Sequence, residues 1–167
     1  NHFKCCGDGY LDLDDPDDEE TRRYLASNLL KEYIDTNFSN NNVIVLGDLN
    51  DILTDDTENN VFQMILNDTE NYLFADMEIA AGNSSEWSYP WWPSHIDHIL
   101  ITNELFDEFE NESSKVQTIK IDEFMDGGFD EYYENISDHR PVALKLEFIA
   151  LSDGDVNGDG VTDIIDI

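Results

Sequence analysis

The sequence predicts an α/β layered domain, on three observations. Short apolar or β-branched runs at 43–46, 98–102, 116–121 and 142–148 read as strands. Stretches with apolar residues at helical spacing interleave with these runs rather than segregating from them, which is the pattern of helices layered on a sheet. The 167 residues are 40% apolar and 11% aromatic, enough to build one core.

Taken in order, residues 1–4 read as the end of a strand, and 7–20 as a Gly- and Asp-rich loop around Pro16. A helix is predicted over 19–37. Leu25, Leu29 and Tyr33, with Ala26, Leu30 and Ile34 beside them, recur at helical spacing, and the acids of 17–20 sit where negative charge favours a helix start. An Asn-rich turn at 40–42 precedes the continuous apolar run 43–46, which ends in Gly-Asp like a buried strand delivering residues to its C-terminal edge. A second helix is predicted over 60–67. The domain is expected to span 1–149, followed by a Ser/Asp/Gly linker at 150–154 and a distinct tail at 155–167.

Eight basic residues against 39 acidic ones give a formal charge of -31. That balance argues against nucleic-acid binding through Lys and Arg, which gain affinity by releasing counterions from phosphates. Carboxylates that recruit divalent cations would invert the local charge and let an acidic protein approach a phosphodiester. Most Asp and Glu simply solvate a surface, so only acids within motifs are assigned roles. Cys5 and Cys6 are adjacent, and make neither an ordinary disulfide between separated segments nor a zinc site by themselves. No apolar run approaches membrane-spanning length. The chain opens on Asn1 in a strand-like segment, so it is expected to be the C-terminal part of a longer protein, and the lack of a leader here excludes nothing.

Three separated motifs carry the chemistry: Gly47-Asp48-Leu49-Asn50-Asp51 after a strand, Ser94-His95-Ile96-Asp97-His98 entering one, and Ser137-Asp138-His139-Arg140-Pro141 before another. Each alone is a common loop pattern; the ordered combination at strand ends is specific. Hydrolysis of a phosphodiester needs an in-line nucleophile, a cation to offset charge, and help for the leaving oxygen. Asp48 and Asn50 lie two apart, so extended geometry would put both on one face. Asp97 hydrogen-bonded to His139 would fix the imidazole tautomer and raise its basicity, and Asp138 would suit a hard cation. His95 and His98 should point to the opposite face and serve structure. The aromatic loop of Trp87, Tyr89, Trp91 and Trp92 could stack on a base, a lipid or a sugar, or pack on the domain's own core. Arg140 could meet a phosphate or form an ion pair.

Together these motifs resemble the C-terminal signature of the endonuclease/exonuclease/phosphatase family, which includes pancreatic-type deoxyribonucleases, abasic-site endonucleases and secreted sphingomyelinases. The likeness covers nearly all of 1–149. It implies part of a four-layer α/β sandwich with its N-terminal half missing, and a divalent-metal-dependent phosphodiester hydrolase using Mg2+ or Mn2+. By that resemblance Asp48 and Asn50 position the nucleophile and phosphate, Asp97 supports His139, and Asp138 helps hold the metal. Asn1-His2-Phe3-Lys4 is similar to the family's strand ending in a histidine, so His2 is a candidate for proton transfer to the leaving group, as in the deoxyribonuclease branch. The family's first half supplies an Asn and a metal-binding Glu that have no counterpart in this sequence. This chain alone is therefore expected to be inactive and to leave the inner face of its sheet uncovered.

The tail carries Asp155, Asn157, Asp159, Asp163 and Asp166 at the first, third, fifth, ninth and twelfth places of a calcium loop, with Gly160 at the turn and the Val161 carbonyl at the seventh place. It resembles the first half of a type I dockerin repeat. That likeness implies bound Ca2+, a cohesin-type scaffold as partner of the complete dockerin, and a secreted microbial exoenzyme. The leading functional expectation is a secreted nuclease acting on DNA or RNA. The alternatives are a sphingomyelinase-like or other phosphoesterase, and a non-catalytic calcium-binding segment that docks to a scaffold.

Overall fold

The computed structural model describes residues 1–148. The expected linker at 150–154 and the calcium loop with Asp155, Asn157, Asp159, Val161, Asp163 and Asp166 lie outside these residues. Within them the architecture is mixed α/β with two small antiparallel sheets.

Helix α1 spans Glu19–Asn37, as its periodicity predicts, and Asp18 caps it by accepting the Thr21 N–H at 2.7 Å. The face it buries differs from the most apolar stripe. Leu25, Leu29 and Tyr33 are exposed, while Tyr24, Ser27, Leu30 and Ile34 pack inward. The chosen face also carries Glu20 and Arg23, whose buried ion pairs tie the helix to Asp51, and Ser27, whose hydroxyl donates to the Val61 carbonyl at 2.6 Å. Polar anchoring thus turns inward a stripe that is not the most apolar one.

Strand β1 (Ile44–Asp48) is followed by a one-turn helix α2 (Gln63–Leu66), shorter than the predicted 60–67. The reason is Asn60, whose side chain staples the preceding loop: its amide donates to the Leu53 carbonyl and its oxygen accepts the Phe62 N–H. Next come β2 (Tyr72–Phe74), α3 (Met77–Ala80), β3 (Asp97–Thr102) and α4 (Phe106–Glu110), then β4 (Lys115–Thr118), α5 (Gly128–Asn135) and β5 (Val142–Lys145). The first sheet has the order β1-β3-β2, and the second pairs β4 with β5.

Register decides what each face carries. Ile44 lies opposite Ile101, Leu46 opposite Ile99, and Asp48 opposite Asp97. Cross-strand partners share a face, so a single face holds the apolar pairs along its length and the two carboxylates at its end. The other face, with Val45, Leu100, Tyr72 and Phe74, packs under α1 and α2 in the larger core. The expectation of an uncovered inner face needs correction. Ile99 and Ile101 are buried against Val142, Leu144 and Leu146, so the second sheet covers that part, while among the described residues the edge residues Ile44 and Leu46 stand open at 43% and 56% exposure. Among the described residues no helix is long and apolar enough to cross a membrane.

Candidate active site

The three motifs converge at one end of the first sheet. β1 ends on Asp48 and β3 begins on its direct partner Asp97. The segment entering β5 brings in His139, held by the Tyr132 hydroxyl donating to its carbonyl at 3.0 Å and by its own N–H donating to Ser137 Oγ. His139 Nδ1 lies 2.7 Å from Asp97 Oδ2, and its Nε2 faces Asp48 Oδ2 at 4.0 Å. A carboxylate at Nδ1 requires a proton there, so in the neutral ring Nε2 is the free base, and it points into the cleft.

Electrostatics follow from this geometry. The hydrogen bond to Asp97 raises the His139 pKa above its ordinary value; burial opposes it, and the charges of Asp97, Asp48 and Asp138 reinforce it. Burial pushes the Asp97 carboxyl upward, yet hydrogen bonds from His139 and Ser88 outweigh it and hold that pKa below the usual range. Asp48 goes the other way. Burial and then the charge of Asp97 raise its pKa, against the pull of His139, the Asn50 N–H and His2.

Asp48 and Asn50 share the cleft by a different route from the predicted strand alternation. The strand stops at Asp48, whose Oδ1 accepts the Asn50 N–H at 2.9 Å, and Asn50 turns into the left-handed region at φ 56°. The Asn50 amide donates to the Phe3 carbonyl at 3.1 Å, and the Phe3 N–H donates to the Asp48 carbonyl, so the N-terminal segment is laced to β1. This puts His2 Nε2 3.5 Å from Asp48 Oδ2 with its ring largely exposed. Asp138 lines the same cleft of about 590 Å³, but stands at its exposed rim rather than in the close trio of Asp48, Asp97 and His139. Free thiols of Cys5 and Cys6 flank the opening.

The other motif residues take structural places. Arg140 grips Asp122 through two nitrogens and donates to the Ser85 carbonyl, so it is an ion pair and not a free phosphate ligand. In the aromatic loop, Trp87 is tied to the Ile79 carbonyl and Tyr89 lies against the His139 ring at 4.8 Å. Trp91 stacks on Tyr133 at 5.0 Å, and Trp92 projects at 77% exposure.

His95 and His98 lie behind the strand, both on Asp76, a residue that no motif marked. Asp76 Oδ2 meets His98 Nδ1 at 2.6 Å and His95 Nε2 at 3.1 Å, while Oδ1 accepts the Ile99 N–H. All three side chains are fully buried. Two ring nitrogens and a carboxylate also have the composition of a metal site. The Ser88 N–H donates into His95 Nδ1, however, so the proton of that ring belongs on Nε2, where a metal would need a lone pair. The trio is a hydrogen-bonded anchor. Ser88 completes it, its hydroxyl accepting the N–H groups of Ile96 and Asp97, so both sides of Asp97 are pinned. The spacing of His95 and His98 was the only legible part; Asp76, following a three-residue strand, has no periodic signal.

No family model, curated protein or solved structure matches this chain.

Proposed function

We propose that the chain contributes the proton-transfer and phosphate-orienting side of a metal-assisted phosphodiester hydrolase of the endonuclease/exonuclease/phosphatase type. The observation that carries this reading is His139, held at Nδ1 by Asp97 at 2.7 Å with Nε2 turned toward Asp48 in an open cleft. An oriented imidazole beside paired carboxylates is the equipment for deprotonating water next to a phosphate. On this reading the two small sheets belong to a four-layer sandwich.

Each residue then has a defined task. Asp97 fixes the His139 tautomer and stabilises the imidazolium that forms when Nε2 takes a proton from the attacking water. The Asn50 amide, with one hydrogen spent on Phe3, has a second for a phosphate oxygen. His2, beside Asp48 and open to solvent, is placed to protonate the leaving oxygen. The donor set fits a hard divalent cation, because Asp48 and Asp138 offer carboxylate oxygens to one cleft, and positive charge there would offset the burial and the Asp97 charge that raise the Asp48 pKa. Magnesium or manganese held by Asp48 and Asp138 would polarise the phosphoryl oxygen and offset its charge.

A secreted nuclease is the leading form of the proposal, supported by the His2 motif. The tail belongs to the same reading, with calcium at 155–166 and a cohesin-type partner for the complete dockerin. A sphingomyelinase-like activity is the second reading, favoured by Trp91 and Trp92 standing 59% and 77% exposed in the loop that carries Tyr89.

The test is hydrolysis of plasmid DNA, RNA and sphingomyelin liposomes, with magnesium or manganese, by the natural gene product including any flanking sequence. His139→Ala is expected to cost on the order of 10²- to 10⁴-fold in rate. Cleavage of lipid without nucleic acid would favour the second reading. Cleavage of none of these substrates, or activity indifferent to His139→Ala and Asp48→Ala, would overturn the hydrolase and favour the scaffold-docking alternative.

A further inference from the structure

A second acidic cluster lies in the loop that precedes α1. One carboxylate oxygen from each of Asp8, Asp18 and Glu20 lies within 4.8 Å of the others. In a chain of charge -31 such proximity alone means little. Glu20 sets this cluster apart, for its side chain is only 3% exposed and its Oε2 is buried without a hydrogen-bond partner. An unpartnered buried carboxylate oxygen is costly, and proteins keep one where something else satisfies it.

The surrounding contacts show what is missing. Each carboxylate is held by one oxygen through a nearby backbone N–H: Asp8 Oδ1 by Tyr10, Asp18 Oδ2 by Thr21, and Glu20 Oε1 by Gly9. Arg23 meets Glu20 at Oε1, at 3.1 Å, and shares its charge with Asp51. Carboxylate oxygens of Asp8 and Asp18 stand beside Glu20, within 4.8 Å of it and of each other. Gly7 crosses at φ 112°, and a side chain there would strike the Glu20 carboxyl, so the loop closes over the cluster at a position only glycine fits.

We propose that Asp8, Asp18 and Glu20 form a calcium site that seats the 7–20 loop on the start of α1. Oxygens that share a calcium ion with bonds of about 2.4 Å lie no more than about 4.8 Å apart, a limit the three groups meet. Magnesium demands a near-octahedral shell at about 2.1 Å and gives up its waters reluctantly, so three protein carboxylates at one point favour calcium. Exposed Asp8 leaves the solvent side open for the waters that complete the shell. This site stands apart from the cleft and does not depend on hydrolysis.

The experiment uses the full chain with the tail loop silenced by Asp155→Ala and Asp159→Ala, and reads calorimetric calcium binding and thermal unfolding in calcium or magnesium. Calcium should bind and raise Tm. Asp18→Asn keeps the helix cap, since Asn caps as well as Asp, yet should weaken calcium binding on the order of tenfold or more. Asp8→Asn, on an exposed side chain, should do the same. A tail-silenced chain that shows no calcium-dependent shift would overturn the site, as would a shift that survives both variants or an equal response to magnesium.

Discussion

Asp76 Oδ2 and His98 Nδ1 meet at 2.6 Å on the buried side of the strand whose open end carries Asp97. The opposite nitrogen of the same ring, Nε2, lies 2.8 Å from the Asp51 carbonyl, so both nitrogens face acceptors. Burial works against ionisation of Asp76, but the hydrogen bonds from His95 and His98 prevail and place its pKa far below the usual carboxylate range. Asp76→Asn removes the charge and keeps one acceptor oxygen, so either the two histidines or the Ile99 N–H lose theirs. Breaking such a pair costs on the order of 3–5 kcal/mol. Urea unfolding should show that loss, and in a variant that still folds the His139 ring resonances should shift as Asp97 loosens. Unchanged stability would remove Asp76 from the support of the site.

The pairing of Asp97 with His139 makes a pH-dependent claim. Asp97 is shifted down and His139 up, so the pair is charged on both sides above the carboxylate range and below the raised imidazole value. The stability due to His139 is fully present below its unfolded pKa and fades as pH rises through the raised folded value; that due to Asp97 fades as pH falls through its lowered value. Asp97→Asn should thus cost most stability at mildly acidic pH and less in alkali. It should also lower the His139 pKa, read from the ring proton shifts in metal-free protein. A His139 titration unmoved by Asp97→Asn would show that the hydrogen bond does not set its basicity.

Much of this arrangement was legible because its signals are local. The start of α1 is written in the acids at 17–20, and β1 and β3 are short apolar runs that end or begin on motif residues. The meeting of Asp48, Asp97 and His139 followed from three motifs that each sit at a strand end. What stayed hidden depends on contacts between distant segments. Strand β2 has only three residues, too few for a period, and Asp76 after it gains meaning only from His95 and His98, some twenty positions on. Likewise the buried stripe of α1 is chosen by Arg23 reaching Asp51, a partner 28 residues away.

Asp55 gives a prediction of opposite sign. Burial, then the charge and hydrogen bond of Asp51 and the charge of Asp56, raise its pKa to about 6, while Arg23 pulls it down. The folded state therefore prefers Asp55 protonated, and the associated stability, full below the ordinary carboxylate pKa near 3.8, is lost as pH rises through about 6. Asp55→Asn should raise Tm at pH 7 and change it little at pH 4. A gain at pH 4 equal to that at pH 7 would mean that charge repulsion with Asp51 is not the cause.

Gly47 tests how the N-terminal segment reaches the cleft. It sits at φ 145°, and a Cβ there would lie 1.9 Å from the Asn1 carbonyl oxygen, a backbone atom that cannot yield as a flexible side chain would. That same segment runs parallel to the end of β1, with Phe3 donating to the Asp48 carbonyl at 2.9 Å and His2 bridged to Asp48. Gly47→Ala should therefore lift residues 1–3 off the strand while leaving the Asp97–His139 pair in place. The expected signature is faster amide exchange at Phe3 with unchanged His139 ring shifts. If His2 is the proton donor to the leaving group, hydrolysis falls in Gly47→Ala as it does in His2→Ala, and combining the two gives little further loss because both remove the same group from the cleft. Fully additive losses would instead place His2 outside the reaction.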